Sequence, residues 1–394
     1  MTSSDDRVPP RSPVRVSLWI PAVIGLCLLV DGASRFLPID ALCFQAWECV
    51  SRYQEPGSIF EANRQFRSDR THGNMSNMGN LPQDQVVRPQ VFTTDRWGFR
   101  NAPAVGGSDV RVVMVGDSFV AGYGISDGET LPVQLSAAAG ITVYNAGGTY
   151  AYADTVRALR GRFRAPAPEA VIVWSESEPI EQLREAEALA MRPNAQTRAF
   201  SMVFGRAGPK VREAVRGWWL TSPAKIVTQK AFLALSNDRI LPNVYASLVT
   251  RRVLQNGASM LFLPSDVEPF HRHRDVEPAR EYLQALVSRI RATGVTVRVA
   301  LVPHKYSVYY PLLDGTPPVP GDRIHPLAQL AMELRNDGID AVDLTPSLRN
   351  EARDAFASGR YLYWRDDTHW NREGVRVAAE ALKRAWWPGA DASR

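Results

Sequence analysis

The stretch that most constrains this chain is Val112-Val113-Met114-Val115, a run with no polar side chain that ends in Gly116-Asp117-Ser118. A strand that is apolar on both faces must be covered on both, which is the situation of a parallel sheet inside an α/β domain. Residues 141–145, 170–174, 295–302 and 341–344 read as strands of the same kind. Between and after them, residues 130–139, 155–163, 277–292, 327–336 and 375–386 have helical character, and Gly294 follows the third of these as a C-terminal stop. Strands alternating with helices predict an α/β domain of about five parallel strands covered on both faces. Residues 260–263 read as an added strand.

Ser118 stands directly after the first of these strands, at the edge of the sheet where open α/β folds bind ligands. A serine hydroxyl is a weak nucleophile until a base takes its proton. That base is expected near the other end of the chain, in Arg365-Asp366-Asp367-Thr368-His369-Trp370-Asn371. A carboxylate three residues before a histidine can curl back onto the ring Nδ1–H, fix the tautomer and leave Nε2 facing the serine. Asp366 has that spacing and is the preferred orienter, with Asp367 as the alternative. Asp117 is read as a structural hydrogen-bonder, and His72, His271, His273, His304 and His325 as surface or structural histidines. No metal-ligand spacing is present, and no metal or other cofactor is expected.

Gly116-Asp117-Ser118 and Asp366-Asp367-Thr368-His369 together resemble the first and last blocks of the SGNH (GDSL) hydrolase superfamily. The resemblance spans residues 108–386 and implies a three-layer, flavodoxin-like fold with Ser118, His369 and Asp366 as the triad. Asn145-Ala146-Gly147-Gly148-Thr149-Tyr150 looks like the glycine block, which implies oxyanion donors at Ser118, Gly147 and Gly148. The family's asparagine block should follow the third strand, where this chain has Trp174-Ser175-Glu176-Ser177-Glu178 instead. That strand end, together with Val302-Pro303-His304-Lys305-Tyr306 and Asp367-Thr368-His369-Trp370, is similar to extracytoplasmic O-acetyltransferases of the alginate-acetylation type. The order of blocks, serine first, is that of membrane-anchored peptidoglycan O-acetyltransferases. The resemblance implies that Lys305, Glu178 and Trp370 face substrate.

Residues 16–30 carry no charge and follow Arg7, Arg11 and Arg15, which favours a cytoplasmic N-terminus and an exported remainder. The expected layout is a cytoplasmic tail at 1–14, a single-pass signal anchor at 15–31 and a juxtamembrane stalk or cap at 32–107. The catalytic domain at 108–386 would hold a helical insertion at 183–256 with the Trp218-Trp219 pair, and 387–394 would form a tail. A cleaved signal and a buried N-terminal helix are the other readings of the apolar run. Cys43 and Cys49 could pair in an oxidising compartment. The net charge of +5 is almost all arginine and forms no dense run with aromatics, which argues against nucleic acid as a partner.

The function expected is O-acyl transfer, acetyl foremost, onto an exported polysaccharide or cell-wall glycan. The acyl group would come from a multi-span membrane carrier, and the enzyme would sit in the cytoplasmic membrane with its catalytic domain outside. Two alternatives are an extracytoplasmic carbohydrate esterase using the same acyl-serine and, because the asparagine block is missing, an inactive polysaccharide-binding subunit.

Overall fold

The computed structural model describes residues 19–36, 38–51, 60–105, 109–149, 151–163, 167–176, 180, 223–236, 238, 240–270, 275–316 and 324–389 of the 394. The expected tail at 1–14, most of the insertion at 183–256, the Trp218-Trp219 pair, Glu178, His271 and His273 lie outside these residues.

An antiparallel hairpin comes first, β1 (Gln65–Thr71) with β2 (Arg88–Thr93). The main sheet is built from β3 (Val112–Gly116), β4 (Val143–Gly147) and β5 (Glu169–Ser175). A second hairpin, β6 (Thr250–Val253) with β7 (Ser259–Phe262), takes up the added strand expected near 260. The main sheet is completed by β8 (Thr296–Val302) and β9 (Asp340–Asp343). Its order is β4-β3-β5-β8-β9, every pair parallel. The order reverses direction between β3 and β5, and such a switch point opens a crevice at the C-terminal ends of the strands. Ser118 leaves β3 at that point.

Every residue of β3, β4 and β5 is buried, as an apolar strand covered on both faces requires. One core lies under helices Leu131–Ala139, Thr345–Phe356 and Arg372–Trp386; the other lies under Tyr152–Arg160, Glu277–Arg291 and Pro326–Asn336. The result is a three-layer α/β fold, with helices on both faces of a five-stranded parallel sheet.

The stretch expected to be a stalk or cap is packed against this domain. Tyr144 donates to Asp95 Oδ2, and Asn101 exchanges hydrogen bonds with the Asn145 backbone in both directions at 2.9 Å. Arg100, itself buried, donates to the carbonyls of Ala121, Gly122 and Ile125 around the turn that follows Ser118. Cys43 and Cys49 form a disulfide with their Cα atoms 6.1 Å apart.

The described part of the apolar N-terminal run is helix Trp19–Ser34, of 16 residues. Its C-terminal end holds a buried Asp31 paired with Arg35 at 2.8 Å. No helix among the described residues is long and apolar enough to cross a membrane, so the span expected at 15–31 is not shown.

Candidate active site

Ser118 is the first residue of a one-turn helix, Ser118–Ala121. Asp117 caps that turn, its carboxylate accepting from Phe119 N at 2.8 Å, and Gly122 ends it in the left-handed conformation at φ 75°. The Ser118 N–H is therefore one of the helix-opening donors without an intrahelical acceptor. It stands beside its own hydroxyl, at the sheet edge.

Residues 363–370 form a tight loop closed by a bridge between Tyr363 and Trp370. Asn371 then caps helix Arg372–Trp386, accepting from Glu373 N and Gly374 N. This fixes the backbone on both sides of His369. The His369 ring lies buried between the rings of Phe119 and Tyr123, and its Nε2 is 2.7 Å from Ser118 Oγ.

The carboxylate on the far side of the ring is Asp367, with Oδ1 2.7 Å from His369 Nδ1. The preference for Asp366 is thus corrected, and the reason is local. Asp367 Oδ1 also accepts from the His369 backbone N–H at 3.1 Å, the self-bonding turn that Asp favours two residues ahead. That turn points the carboxylate and the ring the same way, so Asp-x-His spacing selects the partner. Asp367 Oδ2 accepts from Arg88 Nη2 at 3.1 Å, Asn74 N at 3.0 Å and Gln45 Nε2. Burial alone would raise the Asp367 carboxyl pKa. The His369 charge, the hydrogen bonds from His369 and the Arg88 guanidinium outweigh it and hold the group below the usual carboxylate range.

Asp366 turns away from the ring. Its Oδ2 accepts from Gly73 N at 2.6 Å and Val86 N at 2.8 Å, and its Oδ1 from Arg88 Nη1 at 3.0 Å. Its backbone carbonyl accepts from Met75 N and Ser76 N. A Cβ at Gly73 would overlap that carbonyl, so only glycine lets the two segments approach this closely. Asp366 is the rivet between residues 73–88 and the His369 loop.

Three further expectations change. Lys305 does not face substrate. It is 2% exposed, and its ammonium donates to the carbonyls of Asp367 at 2.6 Å, Trp364 at 3.0 Å and Arg365 at 3.4 Å. Trp370 is fully buried, its ring edge-on to Phe119 at 5.1 Å, and so cannot meet a substrate from solution. The amides of Gly147 and Gly148 are both engaged. Gly147 N donates to Asn145 Oδ1 at 2.9 Å, and Gly148 N donates to Gly116 O at 2.9 Å and Asp117 O at 3.1 Å. In this arrangement Ser118 N is the one donor of the expected three not committed to either of those turns.

Where an asparagine was missing, the buried Glu176 follows β5. It accepts from His304 N at 3.1 Å and lies 3.5 Å from His304 Nε2 and 3.6 Å from His325 Nε2. Among the described residues no group of three His, Cys, Asp or Glu could hold a metal ion. Gln45, Asn74 and Arg88 went unnoticed in the sequence. They precede the loop they hold by some 280 to 320 positions, and nothing in a single sequence links them to it.

Residues 261–389 match a family described as SGNH hydrolase-like domain, acetyltransferase AlgX. The match takes in Lys305, Asp367 and His369 and begins well after Ser118. A solved structure described as a G-D-S-L family lipolytic protein from Desulfitobacterium hafniense is similar at 13% identity. The alignment covers 70% of this chain and 99% of that one, with a TM-score of 0.31. Protein YxiM of Bacillus subtilis is similar at 11% identity over 76% of this chain and 61% of its own, with a TM-score of 0.32. Likenesses this loose decide nothing about chemistry. No curated protein matches the sequence.

Proposed function

We propose that this chain, whose residues 261–389 match the SGNH hydrolase-like domain family of the acetyltransferase AlgX, transfers an acyl group, most simply acetyl, through Ser118 to a hydroxyl of an exported glycan. The observation that carries this reading is the unbroken line Ser118 Oγ, His369 Nε2, His369 Nδ1, Asp367 Oδ1, with 2.7 Å at each hydrogen bond.

In the resting state the Ser118 hydroxyl donates to Nε2, and Nδ1–H donates to Asp367. As Ser118 Oγ bonds to the ester carbonyl carbon, its proton passes to Nε2, and Asp367 stabilises the imidazolium so formed. The carbonyl oxygen becomes an oxyanion, with the Ser118 N–H as donor. The ester C–O bond breaks, the departing alkoxide takes the proton from Nε2, and acyl-Ser118 remains. A glycan hydroxyl then runs the steps in reverse, giving its proton to Nε2 as it bonds to the acyl carbon.

Water in place of the glycan gives an esterase from the same residues, and exclusion of water from the crevice decides between the two. Extracytoplasmic location is part of the proposal. The three arginines before the apolar run and the disulfide between Cys43 and Cys49 support it. A membrane donor would then meet Ser118 at raised effective concentration.

The test uses the full-length protein and a chromogenic acetyl ester, with and without an oligosaccharide acceptor, and mass spectrometry of the acceptor. Acetylated acceptor supports transfer. Acetate release that the acceptor leaves unchanged selects hydrolysis. No turnover of any ester rejects both.

A further inference from the structure

Lys305 follows Pro303 and His304 at the end of β8 and opens the short helix Lys305–Tyr309. The same segment seats the base of the His369 loop. Tyr363 Oη donates to Pro303 O at 2.7 Å, and Leu362 N donates to Tyr309 Oη at 2.7 Å. From this seat the Lys305 side chain runs beneath the loop, its Nζ 5.2 Å from the centre of the Phe262 ring. Three carbonyls of the loop, from Trp364, Arg365 and Asp367, converge on that one nitrogen. Converging carbonyl dipoles repel each other unless a cation sits at their focus. An ammonium has three N–H donors, one for each carbonyl here, so none is left for a ligand. The charged groups facing Lys305 are Asp367 and Asp366 of the loop, Asp266 of helix Pro264–Phe270 and Arg88 of β2.

A lysine placed for stability alone would be a poor choice in such a spot, because a buried ammonium is expensive to desolvate. Its geometric effect is specific. The shortest of the three bonds is to the carbonyl of Asp367, whose side chain holds the His369 ring.

We propose that Lys305 is a positioning residue: its ammonium draws the carbonyls of Trp364, Arg365 and Asp367 inward and thereby keeps the Asp367 carboxylate in register with His369 Nδ1. The inference rests on the function proposed for Ser118 and His369 and adds a control point to it. Burial pushes the lysine down to about 7, against the pull of Asp367, Asp366 and Asp266. Above that pH the ammonium becomes an amine, with two N–H groups for three carbonyls and a lone pair turned toward them. The loop then loses its focus, and kcat falls while substrate binding stays as it was.

The test compares full-length wild type, Lys305→Met and Lys305→Arg in two readouts from pH 6 to 9: steady-state turnover of the acetyl ester, and the low-field proton resonance of His369 Nδ1–H. At pH 6.5, Lys305→Met is expected to lower kcat on the order of a hundredfold, as an ångström-scale misplacement does, with KM within about twofold. Its low-field resonance is expected to be lost. Arginine stays charged throughout, so Lys305→Arg is expected to recover part of kcat and to move the alkaline decline upward by more than one pH unit. Lys305→Met with near-normal kcat and an intact resonance overturns the proposal. So does a wild-type kcat that stays flat across pH 6 to 9, which decides the matter even if Lys305→Met does not fold. If wild type turns over no ester, the functional reading fails by itself. The resonance still judges the clamp: loss near pH 7 in wild type but not in Lys305→Arg supports it, and equal persistence in both overturns it.

Discussion

One oxygen of Asp367 serves His369 twice, accepting from the ring Nδ1–H at 2.7 Å and from the backbone N–H at 3.1 Å. The adjacent Asp366 touches neither and binds residues 73, 86 and 88 instead. Two neighbouring carboxylates thus divide the work, one toward the ring and one toward the architecture.

The pair should separate cleanly under substitution. Asp367→Asn presents an amide to Nδ1 and disfavours the useful tautomer, so kcat is expected to fall by about 10³ to 10⁴. Asp366→Asn leaves the ring partner in place and is expected to change kcat less than about tenfold. It weakens the acceptor for the N–H groups of Gly73 and Val86 and for the Arg88 guanidinium, so stability should drop by roughly 1–3 kcal/mol. Steady-state kinetics and urea titration of both variants check this. Equal loss of kcat in the two would return the orienting role to Asp366.

Ser118→Ala should reduce ester turnover by a factor on the order of 10³ or more while the fold persists, because it removes the hydroxyl that meets His369 Nε2 and leaves the backbone of the turn unchanged. The check is burst and steady-state kinetics beside a circular dichroism melt. Residual turnover near wild type would place the nucleophile elsewhere.

The disulfide closes a small loop that presents Gln45 to Asp367 and stacks Trp47 on Tyr123, whose ring meets His369. The double variant Cys43→Ser with Cys49→Ser should lose about 2 kcal/mol of stability, the cost of opening so short a loop. It should also lower kcat several-fold, since both contacts to the relay loosen. Turnover of the wild type measured with and without reductant, under conditions where it stays folded, gives the same comparison without mutation.

Lys305 makes stability depend on pH with a definite sign. Its ammonium titrates at 10.5 in the unfolded chain and at about 7 in the folded one. Between those values the unfolded chain carries the extra proton, so stability rises with pH, by up to about 1.4 kcal/mol per unit. The burden of the buried charge is fully present below pH 7 and fades toward 10.5. Urea midpoints at pH 7, 8 and 9 are expected to rise for wild type relative to Lys305→Met. Parallel lines would mean that the amine does not titrate in this window. Activity falling where stability climbs would also exclude alkaline unfolding as the cause of the lost turnover.

For location, the expected result is that the full-length protein sediments with membranes and that its catalytic domain is digested by protease added to spheroplasts. A shortened soluble form as the main product would mean that the apolar run is a cleaved signal.

The sheet was legible because its leading strand, 112–116, is an apolar run too short for a helix that ends in a glycine, and apolar stretches recur after it at 170–174 and 299–302. Ser118 and His369 were legible because their neighbours form a recognisable pair of blocks. The choice between Asp366 and Asp367 was not, since it depends on a hydrogen bond that the His369 backbone N–H donates to Asp367, which spacing alone does not reveal. Lys305 misled for a different reason. Lysine is so seldom buried that a solvent- or substrate-facing role was the natural reading, and only the three convergent carbonyls show otherwise. Gly147 and Gly148 lie in the expected glycine block, but where their N–H groups point is a matter of φ and ψ, including φ 87° at Gly148.

The rivet between Asp366 and residues 73–88 also sets a timetable. On the way out of a ribosome or an export channel, Gln45, Gly73, Asn74 and Arg88 emerge long before the carboxylates they bind. Contacts so remote in sequence form late, after the intervening chain has been threaded and collapsed. The guanidinium of Arg88 must wait in water, and Ser118 must wait without its imidazole. A nascent chain halted before Asp366 is expected to be chemically mute, however much of the sheet it has already built. Delivery of the last segment therefore acts as a safety catch: the proposed attack on an ester has to wait until Asp367 and His369 have joined Ser118.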